Sequence, residues 1–327
     1  MRRSQARRLS RLSVTVGTRI AVFLVSLLLA SMLIFVVCAA LPGDIAQVIL
    51  GQNATEESLA SLRRSLGLDR PLLTRYLDWL TGMASGDFGA SLLTRLPVSA
   101  QIGSRLAVTA WLVSLSMCVA LLIALPVGVL AAVRRRRVSG TVLSAVSQIG
   151  LAIPAFWAGI LAVFVFAVKL RWLPANGYVA LRSDPGQWAA HLVLPVVALA
   201  LVQSSVLIRY VRSAIVEVLE EDYIRTARAV GWTRTGALWR HGVRNAAISV
   251  VTVLGLQLAS LLVGAIVIES VFALPGLGQL LLDAVAQRDL MVVQGTVMVL
   301  VFAVLMINTV VDLSYLVLDP RIRVGSR

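Results

Sequence analysis

The side chains able to do chemistry are few, and most stand in apolar surroundings. Cys38 and Cys118 each lie inside an apolar run, a placement that suits a small buried hydrophobe and not a disulfide framework or a metal cage. Lys169 is the single lysine, so no phosphate loop of the GxxxxGK[ST] type can form and the chain cannot be its own P-loop ATPase. Glu269 and Asp312 are the only acids within long apolar stretches, each near an end. A proton-coupled carrier working alone places such acids near the middle of the membrane; near an end, interfacial solvation or a helix-cap contact accounts for them. Gln148, Gln203, Gln257, Gln294 and Asn308 are neutral, and such groups either line a polar path or join helices. No catalytic, cofactor-binding or metal-binding residues are expected.

Composition dictates the elements that carry these residues. Of 327 residues, 58% are hydrophobic and only 14% charged, with a mean hydropathy of +0.88. A soluble domain of this size keeps far more charged surface, so the solvent for most of the chain is lipid. A helix of about 20 apolar residues crosses a ~30 Å hydrocarbon core. Six stretches qualify: Ile20–Leu41, Ala107–Val133, Val142–Leu170, Leu192–Val211, Ile248–Phe272 and Leu290–Val317. The first is too long for the apolar core of a signal peptide and passes into Leu41-Pro42-Gly43-Asp44, so it reads as a span. Pro126, Pro154 and Pro195 kink their spans, which a bundle tolerates when neighbours satisfy the freed carbonyl. The fold class is all-α, a polytopic membrane protein with six transmembrane helices.

Arginine sets the orientation, because cytoplasmic loops carry the excess of basic residues. With the N-terminus inside, the cytoplasmic segments hold twenty of the thirty basic residues against five acids. The external loops then hold ten basic residues and nine acids. The split predicts both termini in the cytoplasm, and it assigns the net charge of +14 to topology and anionic lipid, with no nucleic acid needed.

Two connections are too long to be simple turns. In the external segment 42–105, Thr55 can cap a helix from Glu56 to before Gly67, with Leu59, Leu62 and Leu66 on one stripe. A second helix starts at Pro71, with Leu73, Tyr76, Leu77 and Leu80 facing inward. This external cap either packs on the bundle or receives an external partner. In the segment Arg212–Asn245, Val216, Leu219, Tyr223, Ala227 and Val230 form one apolar face of a single helix. Its opening turns are acidic (Glu217, Glu220, Glu221, Asp222) and its later turns basic (Arg225, Arg228), as the helix dipole favours. Gly231 suits the left-handed end of that helix, and Thr233 can cap a further short helix containing Leu238 and Trp239. Periodicity alone serves an interfacial helix on the inner leaflet and a protein-docking hairpin equally well. The loop from Ala273 to Arg288, broken by Pro275, Gly276 and Gly278, either dips between span ends or is a passive turn.

The run Glu221-Asp222-Tyr223-Ile224-Arg225-Thr226-Ala227-Arg228-Ala229-Val230-Gly231, followed by Arg240-His241-Gly242-Val243-Arg244-Asn245, resembles the cytoplasmic "EAA" loop of ABC importer permeases. It is closer to the dipeptide/oligopeptide branch. Leu66-Gly67-Leu68-Asp69-Arg70-Pro71, Gly86-Asp87-Phe88-Gly89, Ile153-Pro154-Ala155-Phe156-Trp157, Glu269-Ser270-Val271-Phe272, Pro275-Gly276-Leu277-Gly278, Val293-Gln294-Gly295 and Leu318-Asp319-Pro320-Arg321 also fit that family, in its order. The long connection after the first span resembles the "B" permease of the pair. One departure stands at Arg225, Thr226 and Ala227, where the general importer loop has Glu-Ala-Ala; the family's glutamate role does not carry over.

The resemblance implies a type I ABC importer permease fold and a transport subunit that does no covalent chemistry. It implies partnership with a second homologous permease, two cytoplasmic ABC ATPases that hold ATP and magnesium, and an external substrate-binding protein that delivers peptide cargo. The cargo of such permeases extends to nickel chelate, glutathione or another small solute. On the same ground, Tyr223, Thr226, Ala227, Arg228 and Gly231 are assigned to ATPase coupling, and Pro275, Gly276 and Gly278 to the loop facing the binding protein. Gln148, Gln257, Gln294 and Asn308 are candidate path-lining residues. The expected division is a basic N-terminus at 1–19, a first span at 20–41, the cap at 42–105, and a five-helix core at 106–317. That core includes the coupling segment 213–245 and the external loop 273–289, and a C-terminus at 318–327 follows. The implied location is a bacterial inner membrane. A stand-alone secondary transporter is the competing reading, against which the protruding hairpin and the lack of a midplane acid count.

Overall fold

The computed structural model describes residues 2–40, 47, 50, 54–65 and 67–318, with side chains from 16 to 314 among them. Leu66, the Leu41-Pro42-Gly43-Asp44 motif and the C-terminal residues 319–327 lie outside the described residues. Among the described residues the fold is helical, with one isolated antiparallel bridge between Ala90 and Pro97.

The first span lies in α1 (Arg2–Ala40), and α2 (Glu56–Ser65) and α3 (Leu72–Ala84) follow it. Thr55 caps α2 as expected, its hydroxyl accepting from Ser58 N at 3.2 Å. Gly67, at φ +66°, closes that helix while Leu68 N donates to the Arg63 carbonyl at 2.9 Å. The second span is α4 (Val98–Val133), which starts nine residues before the expected Ala107 and carries Pro126 in its interior. The fourth is α7 (Pro185–Glu220). Asp184 caps it by accepting from Gly186 N and Gln187 N, and Pro185 stands in its first turn. The hairpin helices α8 (Asp222–Ala229) and α9 (Arg234–Ala237) follow. A π-helical turn (Leu238–Gly242) leads into the fifth span, α10 (Val243–Val271). Then come α11 (Leu277–Ala286) and the sixth span in α12 (Leu290–Leu318).

The third span bends at Pro154 as expected, but far more sharply than a kink. In place of one continuous helix there are two, α5 (Val138–Ala152) and α6 (Ala155–Ala162, prolonged by the π-helical Val163–Lys169), bent by 94° at the break. Pro154 has no N–H to continue the ladder and forces the preceding Ile153 into an extended conformation (ψ 118°). Among the described residues five helices are therefore long and apolar enough to cross a membrane as single rods, and six when the bent pair counts as one span.

The chain divides into two compact units, one of residues 1–108 and 275–305, the other of 109–274 and 306–327. The first has a core of Cys38, Val98, Ile102, Leu277, Leu280, Ala284, Val292 and Val293. Two further features hold it together. The buried Asp289 accepts a short hydrogen bond from the Ser91 hydroxyl, tying the chain before α4 to the start of α12. Gly295 leaves room for Val98, whose Cγ1 would lie 2.8 Å from any Cβ placed there. In α3 the inward face is Tyr76, Trp79, Leu80 and Met83, whereas Leu73 (69% exposed) and Leu77 (48%) point outward, against expectation. The apolar arc of α3 is wide, running from Trp79 through Tyr76 and Leu80 to Leu73 and Leu77 opposite a polar strip of Thr74, Arg75, Asp78 and Thr81, so periodicity does not fix which part of that arc is buried. The Tyr76 hydroxyl bonded to Ser31 Oγ at 2.9 Å, and the Tyr76 and Trp79 rings against Phe35, fix the rotation instead.

The second unit contains the hairpin and its own core, built on Ala132, Val211, Ile215, Val218, Ile224, Leu238 and Ala246. Within it Gln203 Nε2 donates to Gln257 Oε1 at 2.7 Å, joining α7 to α10. Cys118 is exposed on α4, unlike the buried Cys38: a helix apolar all round offers sites of one composition to protein and to lipid alike.

Candidate functional site

The hairpin is set by where α7 stops. The sequence pattern suggests one helix through residues 216–230; the structure breaks it at Glu221, whose ψ of 144° ends α7, and α8 restarts at Asp222. The break changes the helical phase. Ile224, absent from the expected stripe, becomes the anchor at 1% exposure, while Val230 stands 77% exposed. Glu217 and Glu220 consequently lie in the last turns of α7, and Glu220 is paired with Arg135 at 2.7 Å. Only Asp222 is in the first turn of α8, with Arg228 in its last, the arrangement the helix dipole favours.

Of the five assigned coupling residues, Tyr223 and Ala227 are half-buried against the hairpin core. Asn245 Nδ2 donates to the Tyr223 hydroxyl at 3.0 Å, tying α8 to α10. Thr226, Arg228 and Gly231 are exposed. Thr226 bonds the Asp222 carbonyl of its own helix at 3.0 Å. Gly231 takes φ +103°, and Gly231 N and Trp232 N return to the carbonyls of Arg228 and Ala227. A Cβ at Gly231 would touch nothing within 4 Å, so glycine is needed there for its backbone conformation. Thr233 caps α9 as expected, accepting from Gly236 N at 3.1 Å.

Sequence reasoning missed how the hairpin is held. A Cβ on Gly242 would fall 2.7 Å from Val218 Cγ1 and 2.9 Å from Leu238 Cδ1, so the π-helical turn lies directly on α7. The signal was present in Gly242 itself, a glycine inside a helical pattern. The result is a rigid root (Ile224, Leu238, Gly242) below an exposed tip that presents Ala229, Val230, Trp232 and Trp239. An apolar surface of this kind, on a short helix fixed at its base, suits rigid-body contact with another protein.

The other candidates fall elsewhere. Of the path-lining candidates, Gln148 is exposed, Asn308 half-buried and Gln257 bonded to Gln203 in the second unit, and Gln294 is buried in the first. After α10, Ala273 adopts φ +47° and Leu274 N closes on the Glu269 carbonyl at 2.9 Å. Pro275 is half-buried and Gly276 buried at the break, while Gly278 lies buried within α11 and does not interrupt it. Glu269 is fully buried, and its Oε1 accepts from Thr109 Oγ1 at 2.6 Å. Interfacial solvation of this carboxyl is thereby overturned: a neighbouring helix covers it, although its place in its own sequence is terminal.

Comparison with known proteins agrees with this architecture. Residues 124–324 match the family "binding-protein-dependent transport system inner membrane component", and residues 14–113 match the corresponding N-terminal family. The chain belongs to this family. A Brucella abortus (strain 2308) member, named provisionally as a peptide transport system permease, is 41% identical over 305 residues, covering 93% of this chain and 97% of its own. A Salmonella choleraesuis member, the glutathione transport system permease, is 42% identical over 298 residues, covering 91% and 95%. Among solved structures, the inward-facing MetNI methionine ABC transporter aligns at a TM-score of 0.57 and 20% identity, over 67% of this chain and 96% of that one. An amino acid ABC transporter aligns at 0.51 and 17%, over 66% and 93%. These two share the fold. As a family member the chain is a multi-pass inner-membrane transport component, identified as an ABC importer permease by family and fold together.

Proposed function

We propose that this chain is the permease subunit of an ATP-driven importer of peptides or peptide-like solutes, forming half of a translocation path with a second homologous permease. The observation that carries this reading is the identity of 41–42%, over more than nine-tenths of the chain, to members named for peptide and for glutathione transport. Glutathione is itself a tripeptide, so the two names describe one cargo chemistry.

In this reading both termini and the hairpin face the cytoplasm. The hairpin enters a groove on a cytoplasmic ATPase through Tyr223, Thr226, Ala227, Arg228 and Gly231, with Val230, Trp232 and Trp239 enlarging the contact. ATP and magnesium are held by two ATPase partners, and this chain binds no cofactor and catalyses no reaction. The root formed by Ile224 and Gly242 carries movement of the ATPase into α7 as a rigid body. On the opposite side a substrate-binding protein docks near residues 273–289, and Pro275 and Gly276 shape that surface while Gly278 packs beneath it. Gln148, Gln294 and Asn308 remain candidates for the path; Gln257 has a structural partner in Gln203.

Affinity purification of the chain in mild detergent tests the reading. A second six-span permease and P-loop ATPases are expected to co-purify, and the ATPases to be lost on Ala229→Arg, at an exposed helical position of the tip, while the variant keeps its melting temperature. A lone folded chain that moves solute in liposomes without ATP would overturn it in favour of a secondary carrier. Mass spectrometry of solute retained by the co-purified binding protein then identifies the cargo.

A further inference from the structure

The first unit contains an apolar groove of about 570 Å³ between α1, α3, α4 and α12. Its walls include Leu24, Leu28, Leu80, Met83, Met298 and Phe302. Among the described residues Ser31 is the single polar one lining it, and its hydroxyl is already engaged by the Leu28 carbonyl at 2.8 Å and by Tyr76. Water inside would therefore find at most one spare acceptor among the lining side chains, fewer than the two to four partners it needs, whereas the volume is many times the roughly 30 Å³ share of one water molecule. The occupant must be apolar.

Depth identifies it. Leu24 to Ser31 lie five to twelve residues beyond Arg19, the last basic residue before the first span, and nine to sixteen before Ala40. At a rise of 1.5 Å per residue, this stretch is about 8 Å or more from either end of a ~30 Å hydrocarbon core. Met298 and Phe302 lie eight and twelve residues into α12, about 12 and 18 Å from its start. Leu106, next to Arg105, marks the rim. Leu80, Met83 and Ala84 line the same groove, so the end of α3 is at the level of the lipid tails. The outward stripe of α3, Leu73, Leu77 and Ala84, is apolar in keeping with that position, and the one acid of the helix, Asp78, is paired with Arg70 at 2.7 Å.

We infer that α3 is a re-entrant helix that enters from the side opposite the N-terminus and reaches the mid-depth of the bilayer, and that the groove behind it holds an acyl chain of a membrane phospholipid. The segment expected to sit outside as a cap is, over α3, part of the membrane domain. Leu24, Leu28, Leu106 and Phe302 are all substantially exposed within the chain, so a lipid tail can enter sideways from the bilayer.

The test uses the full chain, with whatever partners co-purify, in vesicles of phosphatidylethanolamine and phosphatidylglycerol. Nitroxides are placed at Leu28→Cys and Leu77→Cys in a chain carrying Cys38→Ser and Cys118→Ser. Collision with oxygen several-fold above that with a water-soluble nickel chelate, at both positions, is the expected result. Frequent nickel collision at Leu77→Cys would mean an aqueous cap. Low collision with both reagents at Leu28→Cys would mean that a partner's helix fills the groove. Either would overturn the proposal. A phosphatidylethanolamine with a photoreactive group in mid-chain gives a second readout on the unmodified chain: adducts are expected on peptides containing residues 24–31 and 80–84, and their absence would also count against it. None of these readouts depends on transport, so they can fail while the importer reading stands, and the reverse.

Discussion

A Cβ at Gly242 would stand 2.7 Å from Val218 Cγ1, closer than packed carbons approach, so a single methyl group bears on how the hairpin lies against α7. Gly242→Ala is expected to cost about 1–3 kcal/mol through overpacking. The cost should appear as a lower melting temperature and faster amide exchange in residues 222–242; unchanged exchange there would refute the close approach. The same reasoning at the other end of α10 concerns the buried Glu269. Thr109→Val removes a hydroxyl donor from its carboxyl and is expected to destabilise by about 1–3 kcal/mol, while Thr109→Ser, which keeps the donor, should restore most of the loss. Equal melting temperatures for the two variants would show that the hydroxyl is not what matters. Both effects arise from residues distant in sequence, 160 residues apart for Thr109 and Glu269; Gly242 hints at its contact by being a glycine in a helical pattern, whereas nothing local announces the Thr109 partner of Glu269.

At the scale of elements, breaks matter more than the helices themselves. Glu221 resets the phase between α7 and α8, which replaces Val230 with Ile224 as the buried residue. Ile224→Ala should cost about 2–5 kcal/mol of local stability, read as hairpin exchange rising towards the unprotected rate while the spans keep their protection. Uniform loss across the chain would mean that the hairpin is not a separate unit of opening. The second break, at Pro154, bends α5 and α6 by 94°. If the bent pair crosses the membrane as one span, Ser183→Cys, in a chain carrying Cys118→Ser, reacts with an impermeant thiol reagent applied to intact cells. Reaction only after permeabilisation would make the pair a re-entrant loop and leave five crossings.

Across the whole molecule, topology rests on the distribution of charge. Most of the arginines fall on one side of the proposed crossings, and the excess of basic residues in cytoplasmic loops predicts both ends inside. A fluorescent protein fused to the C-terminus should be fluorescent and an alkaline phosphatase fused there inactive; active phosphatase would require an odd number of crossings. The two units each have a core of their own, and the hairpin and Glu269 both belong to the second. Hydrogen-exchange variants at these two sites therefore report on one unit, while the lipid groove reports on the other.

Much about this protein is legible in one dimension. Apolar stretch lengths, the arginine bias, the caps at Thr55 and Thr233, the left-handed Gly231 and the ordered family motifs are all properties of short segments, and the structure places the caps and Gly231 where those segments imply. What only the tertiary structure decided is which side of each apolar helix meets protein. It turned Leu73 and Leu77 outward, left Cys118 exposed, buried Glu269 under Thr109 and joined Gln203 to Gln257. The physical reason lies in the solvent. In water, polarity marks the exposed face of a helix, but lipid tails are as apolar as a protein core, so hydrophobicity carries no record of burial. The choice falls to close packing and to hydrogen bonds between residues far apart in the chain.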